Sequence, residues 1–185
     1  MCVPFPRGRP ITPTGRTGLT LTATGIRLRK AVTADVPHMQ KLINHYADAG
    51  QMLHKSLNEL FENIRDFTVA EEDGRILACA AIHVTWDDLA EIKSVAVAPD
   101  IKGRGVGKMI VDQCLAEARD LGLRRVFALT YQPEFFTKRG FKVIDRGMLP
   151  HKVWGECIKC HKFPNCNEVA MMHYLDRPGR PENQA

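Results

Sequence analysis

The sequence predicts a single α/β domain with a largely antiparallel sheet, and three observations lead to this prediction. Segments with strand-like apolar patterns and segments with helical apolar spacing occur in mixed order, which is typical of helices packed against such a sheet. Two strand-like runs flank Asp73-Gly74, a dipeptide that favours a hairpin turn. The chain has 185 residues, of which 44% are hydrophobic, so it is long enough to bury one well-filled core.

The predicted elements follow one another without an internal repeat. Strands are expected at 26–32, 67–70, 76–86, 90–98, 125–130, 141–144 and 168–175. Helices are expected from Thr33 or Asp35 to 49 and at 56–64, 106–121 and 133–139. Ser56 and Glu59 form a capping-box pattern at the start of the second helix, and glycines at 50, 122 and 140 are placed to end helices.

The chain is organised around a strand, a basic glycine-rich turn and a helix. The strand 90–98 ends at Pro99, and the turn reads Lys102-Gly103-Arg104-Gly105-Val106-Gly107-Lys108. Its glycines let backbone N–H groups approach a ligand closely, and the following helix adds its own unpaired N–H groups, so the turn suits a phosphate. The alternative is an exposed turn with incidental charge, and the glycines alone favour that alternative. The spacing matches neither a P-loop nor a dinucleotide fingerprint.

Basic residues are concentrated near the N-terminus. The net charge is +5, but residues 1–30 hold six basic residues and no acidic one, so the remainder is nearly neutral. We therefore expect no nucleic-acid-binding face, and no apolar run has the length of a membrane span. Residues 1–25 are interpreted as a disordered basic leader, with a transit peptide or a misassigned translation start as alternatives. The folded domain is then 26–175, and 176–185 form a flexible tail.

The six cysteines bear on compartment and on metal binding. There is no apolar secretory signal, so we expect a cytoplasmic, reducing environment in which Cys79 and Cys114 are buried thiols. Cys157, Cys160 and Cys166, with His151 and His161 close by, form a pattern that suits tetrahedral zinc. The alternative, which we favour, is a set of reduced thiols that packs a C-terminal loop.

Three segments in the right order resemble the GNAT acyltransferases. Lys102-x-x-Gly105-x-Gly107 is similar to the family signature [QR]-x-x-G-x-[GA], the segment 90–100 resembles its central strand, and 135–141 resembles its F-Y-x-x-x-G-F segment. The resemblance implies that strands 90–98 and 125–130 splay apart and that acetyl-CoA lies between them. The residues it implies for acetyl-CoA are Val95, Ala96 and Val97 on the strand, and Lys102, Gly103, Arg104, Gly105, Val106, Gly107 and Lys108 in the turn.

Other segments, including 75–81, 127–130 and 148–150, resemble the acetyltransferase domain of bacterial N-acetylglutamate synthases. This resemblance implies acetylation of the α-amine of an amino acid, L-glutamate in particular, as the first step of arginine biosynthesis. In that family an arginine binds the α-carboxylate, and here His54 and Lys55 occupy the corresponding segment without a guanidinium fork. Because each buried carboxylate needs a partner, Lys93, Asn165 and Asn167 are further candidates for substrate contacts. A homodimer is one assembly we expect.

Acyl transfer needs a base for the incoming ammonium and an acid for the leaving thiolate. Glu91 on the central strand is the candidate base, with an ion pair to Lys93 as the alternative interpretation. The Val95 N–H is a candidate oxyanion donor. The tyrosine that serves as the acid in the family is replaced by Phe136, and Tyr131 is the nearest substitute, although a structural tyrosine or protonation by water are alternatives.

Two other functions stay open at this point. A protein or peptide N-acetyltransferase would use the same fold, because the fold does not fix the substrate. A non-catalytic acyl-CoA-binding module is favoured only by the missing family tyrosine.

Overall fold

The computed structural model describes residues 20–21, 25–150 and 165–175. Within these ranges the chain forms one eight-stranded sheet with the order β1-β2-β3-β4-β5-β6-β8-β7. The strands are β1 Thr20–Leu21, β2 Arg27–Lys30, β3 Phe67–Glu72, β4 Arg75–Trp86, β5 Leu89–Val97, β6 Arg125–Thr130, β7 Lys142–Val143 and β8 Val169–Tyr174. The helices are α1 Val36–Asp48, α2 Leu57–Glu62, α3 Val106–Asp120 and α4 Pro133–Thr137. Among the described residues, no helix has both the length and the apolarity to cross a membrane.

The sheet is antiparallel except where β5 meets β6. These two strands run parallel and pair only at their beginnings, Leu89–Glu91 with Arg125–Phe127. Beyond that point the register contains no further β5–β6 pair, although β5 continues to Val97 and β6 to Thr130. The predicted splay of the two central strands is therefore confirmed, and it leaves a wedge-shaped gap in the middle of the sheet.

Helices cover both faces of the sheet. On one face, α3 packs Ile110, Val111 and Cys114 against a cluster that includes Ile82 and Ile92. On the other face, Met39 and Ile43 of α1 pack with Val69, Cys79 and Ala81 of β3 and β4. Because side chains alternate along a strand, this second cluster shows which residues of β4 point toward α1 and α2.

Local signals in the sequence account for several of the boundaries. The hairpin turn lies where predicted, with positive φ at Asp73 (49°) and Gly74 (77°). The capping box is present, since the Ser56 side chain accepts from the Glu59 N–H while the Glu59 side chain accepts from the Ser56 N–H. Gly122, with φ of 79°, follows the last turn of α3 as predicted.

Three elements differ from expectation. Residues 33–35 form a short 3-10 turn, and the Asp35 carboxylate accepts from the Val32 N–H and the Arg29 guanidinium instead of capping α1. The strand expected over 141–144 is only two residues long. Thr20 and Leu21 pair with β2 inside the segment expected to be a disordered leader. Residues 1–19 and 22–24 of that leader, and the tail 176–185, lie outside the described residues.

Candidate active site

The gap between β5 and β6 has a fixed apex. The Asp88 carbonyl accepts hydrogen bonds from the backbone N–H groups of Arg124 and Arg125, each at 3.0 Å. The Asp88 carboxylate also binds the Arg125 side chain at 2.8 Å, and this hydrogen bond holds the pKa of Asp88 below its ordinary value. The end where the strands meet is therefore clamped, while the opposite end is open toward the basic turn.

A β-bulge distorts β5 along the gap. Cys79 of β4 pairs with Ala96, and Ala81 pairs with Lys93, so Ser94 and Val95 together oppose a single β4 residue. Ser94 has a positive φ of 55°, which a non-glycine residue rarely adopts. The bulge takes the backbone of Val95 out of the regular β4–β5 ladder, and the predicted oxyanion donor lies at this position.

The basic turn sits at the open end of the gap and leads directly into α3. Gly103 (φ 90°) and Gly105 (φ 80°) both adopt left-handed conformations, and a Cβ at either position would meet nothing within 4 Å. The space over both glycines is therefore open. The first N–H groups of α3, which begins at Val106 directly after Gly105, have no partner within the helix. The geometry fits an anion bound by backbone N–H groups at a helix N-terminus.

The three basic side chains of the turn have different partners. Arg104 forms a two-pronged ion pair with Glu72 at 2.8 and 3.1 Å, which lowers the pKa of Glu72 and offsets the charge of Arg104. The Lys108 ammonium lies 3.6 Å from Asp112 within α3. Lys102 has its ammonium 5.0 Å from the centre of the Tyr46 ring. Lys102 thus contacts an aromatic ring, whereas Arg104 and Lys108 contact carboxylates.

Tyr46 joins the turn to β5, a role that sequence analysis missed. Its hydroxyl donates to the Val97 carbonyl at 2.5 Å, while its ring lies beneath Lys102. The residue is 9% exposed and belongs to the apolar side of α1. Helical spacing predicts that side, but it carries no signal that the hydroxyl reaches a strand more than 50 positions away.

Glu91 and Lys93 lie on β5 next to the apex of the gap. Their side chains are 14% and 20% exposed, and Glu91 Oε2 lies 3.6 Å from Lys93 Nζ. The ion pair that sequence analysis gave as the alternative interpretation of Glu91 is thus present. An ionised carboxylate accepts through two oxygens, so an ion pair with Lys93 and the role of a base do not exclude each other.

The segment with His54 and Lys55 is fastened to α1. The Lys55 carbonyl accepts from Gln40 at 3.1 Å and from Asn44 at 3.2 Å, and the Lys55 N–H donates to the Asn44 side chain at 2.9 Å. The Lys55 ammonium lies 3.3 Å from Glu59, and its side chain is 24% exposed. His54 Nε2 lies 2.8 Å from Asp48 and is exposed to solvent. Asn44 therefore sets the position of this loop.

The remaining predicted residues are spread over the C-terminal half. Asn165 and Asn167 are exposed, and Cys166 between them lies 3.5 Å from both Glu168 and Arg146. Phe136 is buried and packs edge-on against Phe135 and Phe141. Tyr131 directly follows β6 on the far side of the gap and is partly exposed.

The predicted zinc site falls largely outside the described residues. Cys157, Cys160, His151 and His161 all lie there, and only Cys166 of the proposed ligands is described. In the part of the chain that the structure does describe, no group of three or more His, Cys, Asp or Glu residues could hold a metal ion. Zinc therefore remains a prediction without structural support.

A splayed pair of central strands, a bulged strand and a glycine turn at a helix N-terminus define a CoA-dependent acyltransferase fold. The model of the acetyltransferase (GNAT) family matches residues 37–141, and the chain belongs to this family. The sequence resemblance to the GNAT acyltransferases is thus confirmed.

Individual relatives give a finer comparison. The chain is 40% identical over 152 residues to the amino-acid acetyltransferase of Mycobacterium tuberculosis, covering 80% of this chain and 83% of that protein. It is 36% identical over 148 residues to an uncharacterised N-acetyltransferase of Chlorobaculum tepidum, covering 80% of this chain and 96% of the other. The amino-acid acetyltransferase of Neisseria meningitidis is 34% identical over 127 residues, which are 68% of this chain and 29% of that longer protein.

Two solved structures are similar to this chain in both fold and sequence. A Mycobacterium tuberculosis protein in complex with CoA superposes with a TM-score of 0.72 at 37% identity, covering 80% of this chain and 99% of the other. N-acetylglutamate synthase from Neisseria gonorrhoeae, complexed with CoA and N-acetyl-glutamate, superposes with a TM-score of 0.76 at 29% identity. That match covers 82% of this chain and 35% of the synthase, so this chain spans about a third of its length.

Proposed function

We propose that this protein transfers the acetyl group of acetyl-CoA to the α-amine of an amino acid, and that L-glutamate is its substrate. The observation that carries the proposal is the gap between β5 and β6, which opens onto the N-terminus of α3 and its glycine turn. Relatives named amino-acid acetyltransferase, and the synthase complexed with CoA and N-acetyl-glutamate, supply the substrate class. With glutamate as substrate, the reaction is the first step of arginine biosynthesis.

The chemistry can be assigned to named groups. Glu91 takes a proton from the substrate ammonium, directly or through water, which frees the amine for attack on the thioester carbonyl. The Val95 N–H, at the bulge, stabilises the oxyanion that forms on the acetyl oxygen. As the C–S bond breaks, the nitrogen gives up its second proton to water, and Tyr131 or a water molecule protonates the CoA thiolate.

The acetyl-CoA assignment can be tested with two glycines of the same conformation. Gly105 and Gly122 flank α3, both have φ near +80°, and a Cβ at either position meets nothing within 4 Å. Alanine at either position therefore costs the same backbone strain, about 1–2 kcal/mol. We expect both variants to lose a similar amount of stability, but only Gly105→Ala to raise the KM for acetyl-CoA. Equal KM values in the two variants would remove the phosphate assignment.

The substrate assignment can be tested at Lys55. We expect Lys55→Ala to raise the KM for glutamate and glutamine alike, because both carry an α-carboxylate. Lys41→Ala, an exposed lysine on α1, is the matched control and should change neither. Discrimination between the two substrates should be weak, since the C-terminal loop offers the amides of Asn165 and Asn167 to the substrate side chain. A wild-type enzyme that releases thiol only with peptides would assign the protein to the peptide N-acetyltransferases instead.

A further inference from the structure

Asp66 and His83 form a carboxylate–imidazole pair beside the candidate base. The Asp66 carboxylate lies 2.6 Å from His83 Nδ1, with the two side chains 26% and 33% exposed. An ionised carboxylate only accepts hydrogen bonds, so Nδ1 carries the proton in this pair. In the neutral ring this leaves Nε2 as a proton acceptor. The pair is thus arranged to take up a proton at Nε2 and to stabilise the resulting imidazolium.

The sheet register places His83 next to Glu91. The two residues are direct partners in the antiparallel β4–β5 ladder, so they share one face and their Cβ atoms lie roughly 4.5–5.5 Å apart. This face is the one covered by α1. Cys79, Ala81 and His83 are every second residue of β4 and share a face, and Cys79 and Ala81 pack against Met39 and Ile43 of α1.

Charged residues lie near this pair on two elements. Arg65 and Asp66 belong to the short turn Ile64–Asp66, and Glu91 and Lys93 belong to β5. Two of these residues are acidic and two are basic. Asp66 contacts the His83 ring directly.

We propose that His83, oriented by Asp66, is a positioning residue that relays the substrate proton from Glu91 to solvent. This inference rests on the proposed function, since it assumes that Glu91 accepts the proton of an ammonium. It adds to that function a second proton acceptor that neither the sequence motifs nor the family comparisons assign.

The relay moves one proton in two transfers. The N–H bond of the ammonium breaks, and a Glu91 carboxylate oxygen gains the proton. The proton then passes to His83 Nε2, which restores the Glu91 carboxylate and creates an imidazolium balanced by Asp66. The imidazolium releases the proton to water at the exposed part of the ring. Glu91 is then ionised again and can accept a proton from the next substrate.

A kinetic experiment distinguishes a relay from a merely structural contact. We expect His83→Gln to lower kcat about 10- to 100-fold, which is at or below the low end of the roughly 10²- to 10⁴-fold that a general acid or base contributes directly, with the KM for acetyl-CoA changed less than twofold. The acidic limb of the kcat–pH profile should move to lower pH, because a carboxylate alone then sets it. His38→Gln, an exposed histidine on α1, is the control. A lower kcat with an unmoved pH profile would overturn the relay and leave a structural role.

A second measurement needs no substrate. Imidazole NMR of the wild type should show an Nδ1–H tautomer for His83, and both Glu91→Gln and Asp66→Asn should lower the pH midpoint of its titration. A pH midpoint of His83 that is unchanged in Glu91→Gln would overturn the relay, whatever the activity of the variant. If the titrations are coupled but no amino acid is acetylated, the coupling still supports the pair and the proposed substrate is what fails.

Discussion

Tyr46→Phe removes the hydroxyl that holds the Val97 carbonyl but keeps the ring beneath Lys102. The lost hydrogen bond of 2.5 Å is worth about 0.5–1.5 kcal/mol. If this bond sets the backbone that receives the pantetheine arm, the KM for acetyl-CoA should rise by about 2- to 13-fold, which is the same free energy expressed as a ratio. The melting temperature should fall by about 2–4 °C for each kcal/mol of stability lost.

Comparing Tyr46→Leu with Tyr46→Phe separates the contribution of the ring to the KM from that of the hydroxyl. Tyr46→Leu also abolishes the contact between the ring and the Lys102 ammonium, which is worth about 0.5–1 kcal/mol at an exposed site. We therefore expect a KM about 2- to 5-fold higher still. Tyr174→Phe on β8, where the tyrosine is 57% exposed, is the control. Steady-state kinetics with acetyl-CoA as the varied substrate measure all three variants. An unchanged or lower KM in Tyr46→Phe, alongside a lower melting temperature, would refute the reasoning and confine the hydroxyl to a structural role.

Three further predictions concern titratable and metal-binding groups. Burial raises the pKa of Asp35, but hydrogen bonds, above all from Arg29, outweigh burial and hold that pKa below its ordinary value. The resulting stability is present above about pH 4 and should be lost as the pH falls through the lowered pKa. Asp35→Asn should therefore flatten the acid limb of urea-unfolding stability, and an equally steep limb would contradict this. Burial raises the pKa of both Cys79 and Cys114 to about 12. A thiol reagent at pH 8 should therefore detect two more thiols after unfolding than before. Equal counts would mean that the reagent enters the core of the folded protein. If the C-terminal cysteines bind zinc, the purified protein should contain about one equivalent and a chelator should lower its melting temperature, whereas metal-free protein of full stability would favour reduced thiols.

The sequence predicted those features of the fold that depend on neighbouring residues. The Asp73-Gly74 hairpin, the capping box at Ser56 and the glycine that ends α3 are each specified within a few positions, and each is present. The hairpin succeeds because positive φ at both turn residues is a local requirement that Asp-Gly meets. The predicted splay and the family were also accessible, since the strand, turn and helix that carry the resemblance are contiguous in the chain.

Charged side chains bind partners that the sequence analysis did not predict. Asp35 carries the residue type and spacing of a helix cap, but Arg29 of β2 and the Val32 N–H bind its carboxylate instead. Arg104 is a predicted contact of acetyl-CoA and stays so, but its ion pair with Glu72 at the end of β3 was not predicted. Charged side chains choose among all the partners that the fold brings within reach, and sequence separation gives no information on that choice.

By itself, the sequence determined the order of the elements, the position of the glycine turn and the acid on the central strand, because propensity, periodicity and turn chemistry act over a few residues. Only the tertiary structure decided that Tyr46 reaches Val97, that Asn44 fastens the Lys55 loop and that His83 stands opposite Glu91. The last of these depends on strand register, where a shift of one residue would turn His83 to the other face of the sheet. Burial of the apolar residues on each face of β4 fixes that register, and this burial is a property of the whole packed sheet.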